Sequence, residues 1–75
     1  MTVFLLEDES KPGAYFVEDW PPVRLDHAHM VNRTANKQEA ARFNSMIAAV
    51  GKALTLPGKW REVCVSVNLE AGEVS

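Results

Sequence analysis

The sequence holds one cysteine, Cys64, which rules out a disulfide within the chain and fits a reducing cytoplasm. No apolar run approaches the ~20 residues needed to cross a bilayer, so no membrane partner is expected. Met1 to Leu6 carries no basic residue and turns acidic at Glu7, unlike a secretory signal or transit peptide. A cytoplasmic protein is therefore expected. Also missing are a glycine-rich phosphate loop, a serine nucleophile motif and a carboxylate pair at a strand end. The expectation is a protein that is not an enzyme and uses no cofactor. Lysine and arginine number 8 against 10 acids, for a net charge of −2. Nucleic-acid binders ordinarily carry a basic surplus, so direct nucleic-acid binding is not expected.

What the chain does contain is an ordinary globular composition. An apolar share of 47% argues against disorder, and 75 residues suffice for one domain, 1–75, near the lower size limit for a self-sufficient core. The charge is unevenly placed. Residues 1–29 sum to −4, with Glu7, Asp8, Glu9, Glu18, Asp19 and Asp26 opposed only by Lys11 and Arg24; residues 30–75 sum to +2.

The pattern predicts a small α+β domain in the order β-β-β-α-β. Thr2 to Leu6 is apolar on both faces, as in a strand buried on both sides. Pro12-Gly13 punctuates a turn into a second strand, Ala14 to Glu18, and the short connection implies an antiparallel hairpin. Trp20-Pro21-Pro22 ends it. Val23 to Val31 alternates only partly and reads as a third, half-exposed strand, with a short helix as the competing reading. Asn32 to Ala35 reads as a polar connection.

Asn36 to Leu56 has the periodicity of an amphipathic helix. Phe43, Met46, Ile47, Val50 and Leu54 share one face, Asn36 and Glu39 have capping-box spacing, and Pro57-Gly58 is a stop. That stripe is expected to pack on the sheet, so Ile47→Ala should open a cavity costing about 2–5 kcal/mol. Ala41, Ser45, Ala48, Ala49 and Lys52 are expected to face outward. Trp60 to Leu69 alternates cleanly, with Val63, Val65, Val67 and Leu69 toward the core. Ala71 to Ser75 reads as a frayed tail.

Candidate chemistry is sparse. His27 and His29 would point to the same side of a strand, but no Cys/His partner group completes a metal site, and no metal is expected. Cys64 stands between Val63 and Val65 with no elbow and no base nearby, and reads as a packed structural thiol. The candidate partner-binding residues are Glu7, Asp8, Glu9, Glu18 and Asp19, with Trp20 beside two prolines as an anchor and Ala48 on a smooth helix face.

Two resemblances bear on function. Lys11-Pro12-Gly13-Ala14-Tyr15-Phe16-Val17-Glu18-Asp19-Trp20-Pro21, with a helix opening near Thr34-Ala35-Asn36-Lys37-Gln38-Glu39-Ala40, resembles the β-β-β-α core of HicB-type antitoxins. That likeness implies a regulator binding a small basic toxin. In size, mild acidity and lack of catalytic residues, the whole chain is similar to phage-encoded anti-CRISPR inhibitors. This second likeness implies a phage or mobile-element protein in the host cytoplasm. Such a protein would bind a host protein or ribonucleoprotein complex with a basic surface and block its nucleic-acid or nuclease-recruitment site. A homodimer stays open in either case.

Overall fold

In a computed structural model, described here for residues 1–18, 33–68 and 70–74, the chain is a small α+β domain. Its elements are β1 (Thr2–Asp8), β2 (Tyr15–Phe16), β3 (Arg33–Thr34), α1 (Met46–Thr55) and β4 (Trp60–Ser66). The four strands form one antiparallel sheet in the order β3-β2-β1-β4. The stretch Val23 to Val31, read as a third strand, lies outside the described residues, as do His27 and His29. The third described strand is Arg33–Thr34, within what the sequence suggested was a connection; it pairs Tyr15 with Thr34 and Phe16 with Arg33.

β1 is the middle of everything. It is buried on both faces, as its two-sided apolar pattern requires, and it extends two residues further than expected, through Glu7 and Asp8. Val3 and Leu5 pack with Tyr15, Ala40, Val65, Val67 and Val74 on one face. Leu6 packs with Phe16, Ala49 and Trp60 on the other, joined by the half-buried Phe4, Phe43, Ala53 and Leu56. Along its length β1 pairs with β4, from Thr2 opposite Ser66 to Asp8 opposite Trp60. Its other edge meets β2 at Glu7 and a separate bridge at Phe4, whose N–H and C=O both bond to Phe43 at 2.8 and 2.9 Å.

That bridge corrects the predicted helix. α1 begins at Met46, ten residues after Asn36, with Ser45 as its N-cap accepting from the Ala48 N–H at 3.1 Å. The Asn36–Glu39 signature instead closes a local turn: Asn36 Oδ1 accepts from the Gln38 N–H and the Asn36 carbonyl from the Glu39 N–H. A helix cannot continue there, because the Ala41 N–H is bonded to the Phe16 carbonyl and Phe43 is bonded to Phe4. Sheet bonds from distant residues have taken the groups a helix would need. The stop falls where expected: helix ends at Thr55, Leu56 caps it, and Gly58 turns the chain at φ 87°.

The predicted stripe is also turned outward from Met46 onward, although Phe43 packs on the core and Ser45 and Ala48 are exposed as expected. Ala49 is fully buried, while Ile47 and Leu54 are 84% and 82% exposed and Met46 and Val50 are exposed beside them. The sheet face under α1 already carries Phe4, Leu6, Phe16 and Trp60, so the space left admits only the alanine side of the helix. Lys52, expected to face solvent, lies with its Nζ 5.6 Å from the centre of the Phe16 ring.

The C-terminal segment is not frayed through residue 74. Val74 is buried and bridges Val67, and Gln38 both donates to the Val74 carbonyl and accepts from its N–H, at 2.6 and 2.8 Å. This segment and Ala40 cover the face of the sheet opposite α1.

These assignments predict an inverted pattern of stability. Leu5→Ala should cost about 2–5 kcal/mol through cavity formation, and Ala49→Leu about 1–3 kcal/mol through overpacking. Ile47→Ala, at an exposed position, should stay within about 0.5 kcal/mol of wild type. Urea titrations of the three variants decide the matter; a strongly destabilised Ile47→Ala would contradict this placement of α1.

Candidate protein-interaction surface

The acidic turn divides into structural and exposed members. Glu7 and Asp8 end β1 on opposite faces of the sheet, and both are buried. Asp8 accepts from the Ser10 N–H and hydroxyl at 2.9 and 2.7 Å and from Arg33 Nε at 2.7 Å. Arg33 in turn stacks 5.0 Å from the centre of the Trp60 ring, so one carboxylate ties β1, β3 and β4 together. Glu7 accepts from the Gly13 N–H at 3.0 Å and from Arg61 of β4. Gly13 has φ 90°, a conformation that favours glycine, and the hairpin is thus held by both carboxylates. Neither side chain is available to dock a partner. That is a correction to the sequence reading of this turn as a docking surface.

The remaining sequence candidates are scattered. Glu9, Glu18 and Ala48 are exposed, while Asp19 and Trp20 lie outside the described residues. Cys64 is exposed, not packed, because on β4 it sits opposite Phe4 near the open edge of the sheet. Among the described residues no group of three metal-ligating side chains comes together, and no helix is long and apolar enough to cross a membrane.

The surface that stands out is one the sequence reading placed in the core. Met46, Ile47, Val50 and Leu54 form one exposed flank of α1. Its direction follows from the contacts on either side: Lys52 lies over Phe16 of β2, whereas Val50 and Leu54 overlook β4. There, Val50, Ala53 and Leu54 line a shallow groove of about 310 Å³ with Glu9, Lys59, Trp60 and Glu62. The Trp60 indole is fixed at the groove's base by its N–H bond to the Pro57 carbonyl at 2.9 Å.

Beyond the groove, β4 is an edge strand among the described residues. Phe4 and Asp8 direct their N–H groups to Phe43 and Ala14, away from β4. Their antiparallel partners Cys64 and Trp60, with Glu62 between them opposite Leu6, therefore direct their backbone N–H and C=O groups outward. The apolar helix flank and the β4 edge from Trp60 to Cys64 thus adjoin along one groove, and past that stretch Val74 bridges Val67. Large contiguous apolar surface of this kind marks interaction sites in soluble proteins. The signal was present in the sequence as the stripe Phe43, Met46, Ile47, Val50 and Leu54; Phe43 packs on the core as expected, and the direction of the other four was misassigned. Comparison of the chain with protein families, curated proteins and solved structures finds no match.

The Asp8 cluster makes a pH prediction. Hydrogen bonds from the Ser10 side chain and backbone, then from Arg33, hold the Asp8 carboxyl below its ordinary value of 3.8. A depressed folded pKa stabilises the fold above the unfolded value, and that stabilisation fades as pH falls below 3.8 toward the folded value. Asp8→Asn should therefore be less stable than wild type at neutral pH, with the gap narrowing in acid. Urea midpoints between about pH 7 and pH 2 test this; a constant gap would show that the carboxylate charge is not what Asp8 contributes.

Proposed function

We propose that this chain is a non-enzymatic protein-binding module whose contact face is the outer flank of α1. The observation that carries the reading is the exposure of Ile47, Leu54, Met46 and Val50 along one helix side. Leaving large aliphatic side chains in water forgoes about 1.5–3 kcal/mol each, so a covered state is favoured wherever a complementary surface exists. Within that class, the chain acts as a phage or mobile-element inhibitor that engages a host nucleic-acid-processing complex. This is supported by its resemblance to anti-CRISPR inhibitors in size, mild acidity and lack of catalytic residues, and by its exposed acids Glu9 and Glu18, which suit a basic surface.

The test is a pull-down from bacterial lysate with immobilised wild type, Ile47→Glu/Leu54→Glu, and Glu9→Lys/Glu18→Lys. Wild type should retain a partner that the helix variant loses. Against that partner, the charge-reversed variant should associate about tenfold or more slowly at low salt, with the difference shrinking as salt rises. An association rate indifferent to both salt and charge reversal would remove the electrostatic part of the reading. A wild type that captures nothing and is strictly monomeric would remove the whole of it.

A further inference from the structure

We propose that the groove between α1 and β4 receives a partner segment that carries an apolar side chain with an arginine or lysine beside it. The inference rests on reading the α1 flank as a protein contact, and deepens it by naming the chemistry of the occupant. Three observations select that chemistry.

The first is the lining. Val50, Ala53 and Leu54 form one wall and Trp60 the base of a volume of about 310 Å³. That is the small end of ligand pockets and suits inserted side chains. Leu54 is 82% exposed, whereas Trp60 is buried and fixed by its bond to the Pro57 carbonyl. An exposed aliphatic rim over a fixed aromatic base receives an aliphatic or aromatic anchor.

The second is charge. Glu9 and Glu62 line the groove with one cation, Lys59. Glu62 is half-buried, yet among the described residues neither carboxylate has an ion-pair or hydrogen-bond partner. A half-buried carboxylate has lost part of its water without gaining a donor; a partner's guanidinium or ammonium supplies one. The excess of acid disfavours a phosphate backbone or an anionic membrane surface in the same place.

The third is spacing. Trp60 and Glu62 share the α1 face of β4, which sets their side chains ~7 Å apart along the strand. The partner's cation therefore belongs a similar distance from its apolar anchor. A helix provides this with residues three or four apart, and an extended segment with residues two apart. Lys52 does not compete for Glu62, because it lies over Phe16.

The experiment selects a random-peptide phage library against the intact chain, then measures synthetic copies of the selected peptides by fluorescence anisotropy. Wild type should enrich peptides that pair an aliphatic or aromatic residue with arginine or lysine at one of these spacings. Leu54→Ser, at an exposed position, should weaken their binding about tenfold or more by removing apolar contact. Glu62→Gln should weaken it about two- to fivefold at low salt, and the difference should shrink as salt rises. Glu62→Lys, put through its own selection, should enrich aspartate or glutamate in place of the basic residue. Selected peptides without basic enrichment overturn the proposal, as does a peptide whose affinity ignores the change at Leu54 or at Glu62. A wild type that enriches no peptide overturns it too. So does one that fills the groove with a second copy, seen as concentration-dependent dimerisation that Leu54→Ser abolishes. If a lysate partner is lost by Ile47→Glu/Leu54→Glu but held equally by wild type and Glu62→Gln at low salt, this occupant fails while the protein-contact reading stands.

Discussion

β1 is confined on four sides, and the rest of the structure follows from satisfying it. Its side chains are buried on both faces, and its backbone is bonded to β4 along one edge and to β2 and Phe43 along the other. A chain of this size has little apolar material to cover two faces. It does so with thin layers: α1 and the stretch through Phe43 on one side, and Ala40 with Val74 on the other. The arrangement also explains the two buried acids. Where β1 ends, neighbouring side chains still point to opposite faces, so Glu7 and Asp8 close one core each. An arginine from β4 answers the first and an arginine from β3 the second. Breaking either pair would leave a buried carboxylate without its cation, which is costly even when the pair itself adds little net stability.

Much of this frame was legible. The two-sided apolar pattern of Thr2 to Leu6, the alternation of Val63, Val65 and Val67, and the Pro57-Gly58 stop all report local chemistry, and all three hold. The misreadings share one physical cause. Asn36 to Ser45 has good helical spacing, but Ala41 and Phe43 give their backbone groups to Phe16 and Phe4, more than twenty residues away in sequence. Val74 is ordered by Gln38, which is equally remote. Propensity and periodicity describe neighbours along the chain; they yield when a distant strand offers hydrogen bonds and burial.

The exposed apolar flank was legible in composition but not in direction. Periodicity shows that Met46, Ile47, Val50 and Leu54 share a side; it does not say which side meets the sheet. That depends on how much volume the sheet itself supplies. With Phe4, Leu6, Phe16 and Trp60 filling the face, the alanines fit and the larger residues do not. The acidic turn failed for a related reason. Counting charges treats Glu7, Asp8 and Glu9 alike, although strand geometry buries the first two and releases only the third. A guide lay in the sequence: Arg33 and Arg61 are available to pair with carboxylates at the end of a strand buried on both faces.

The inverted helix is the feature that fold stability alone does not account for. On a solvated helix face, alanine, glutamate and lysine form helix at least as well as isoleucine or valine and expose no large apolar surface. Nothing in the packing beneath α1 requires aliphatic side chains at 47 and 54, since the sheet touches the opposite side. β4 does not share this departure: Arg61 and Glu62 stand on it, Lys59 precedes it, and Val74 bridges Val67 just beyond its end. The aliphatic flank of α1 is therefore the surface that a covering partner would complete, by supplying apolar contact where the sheet supplies none.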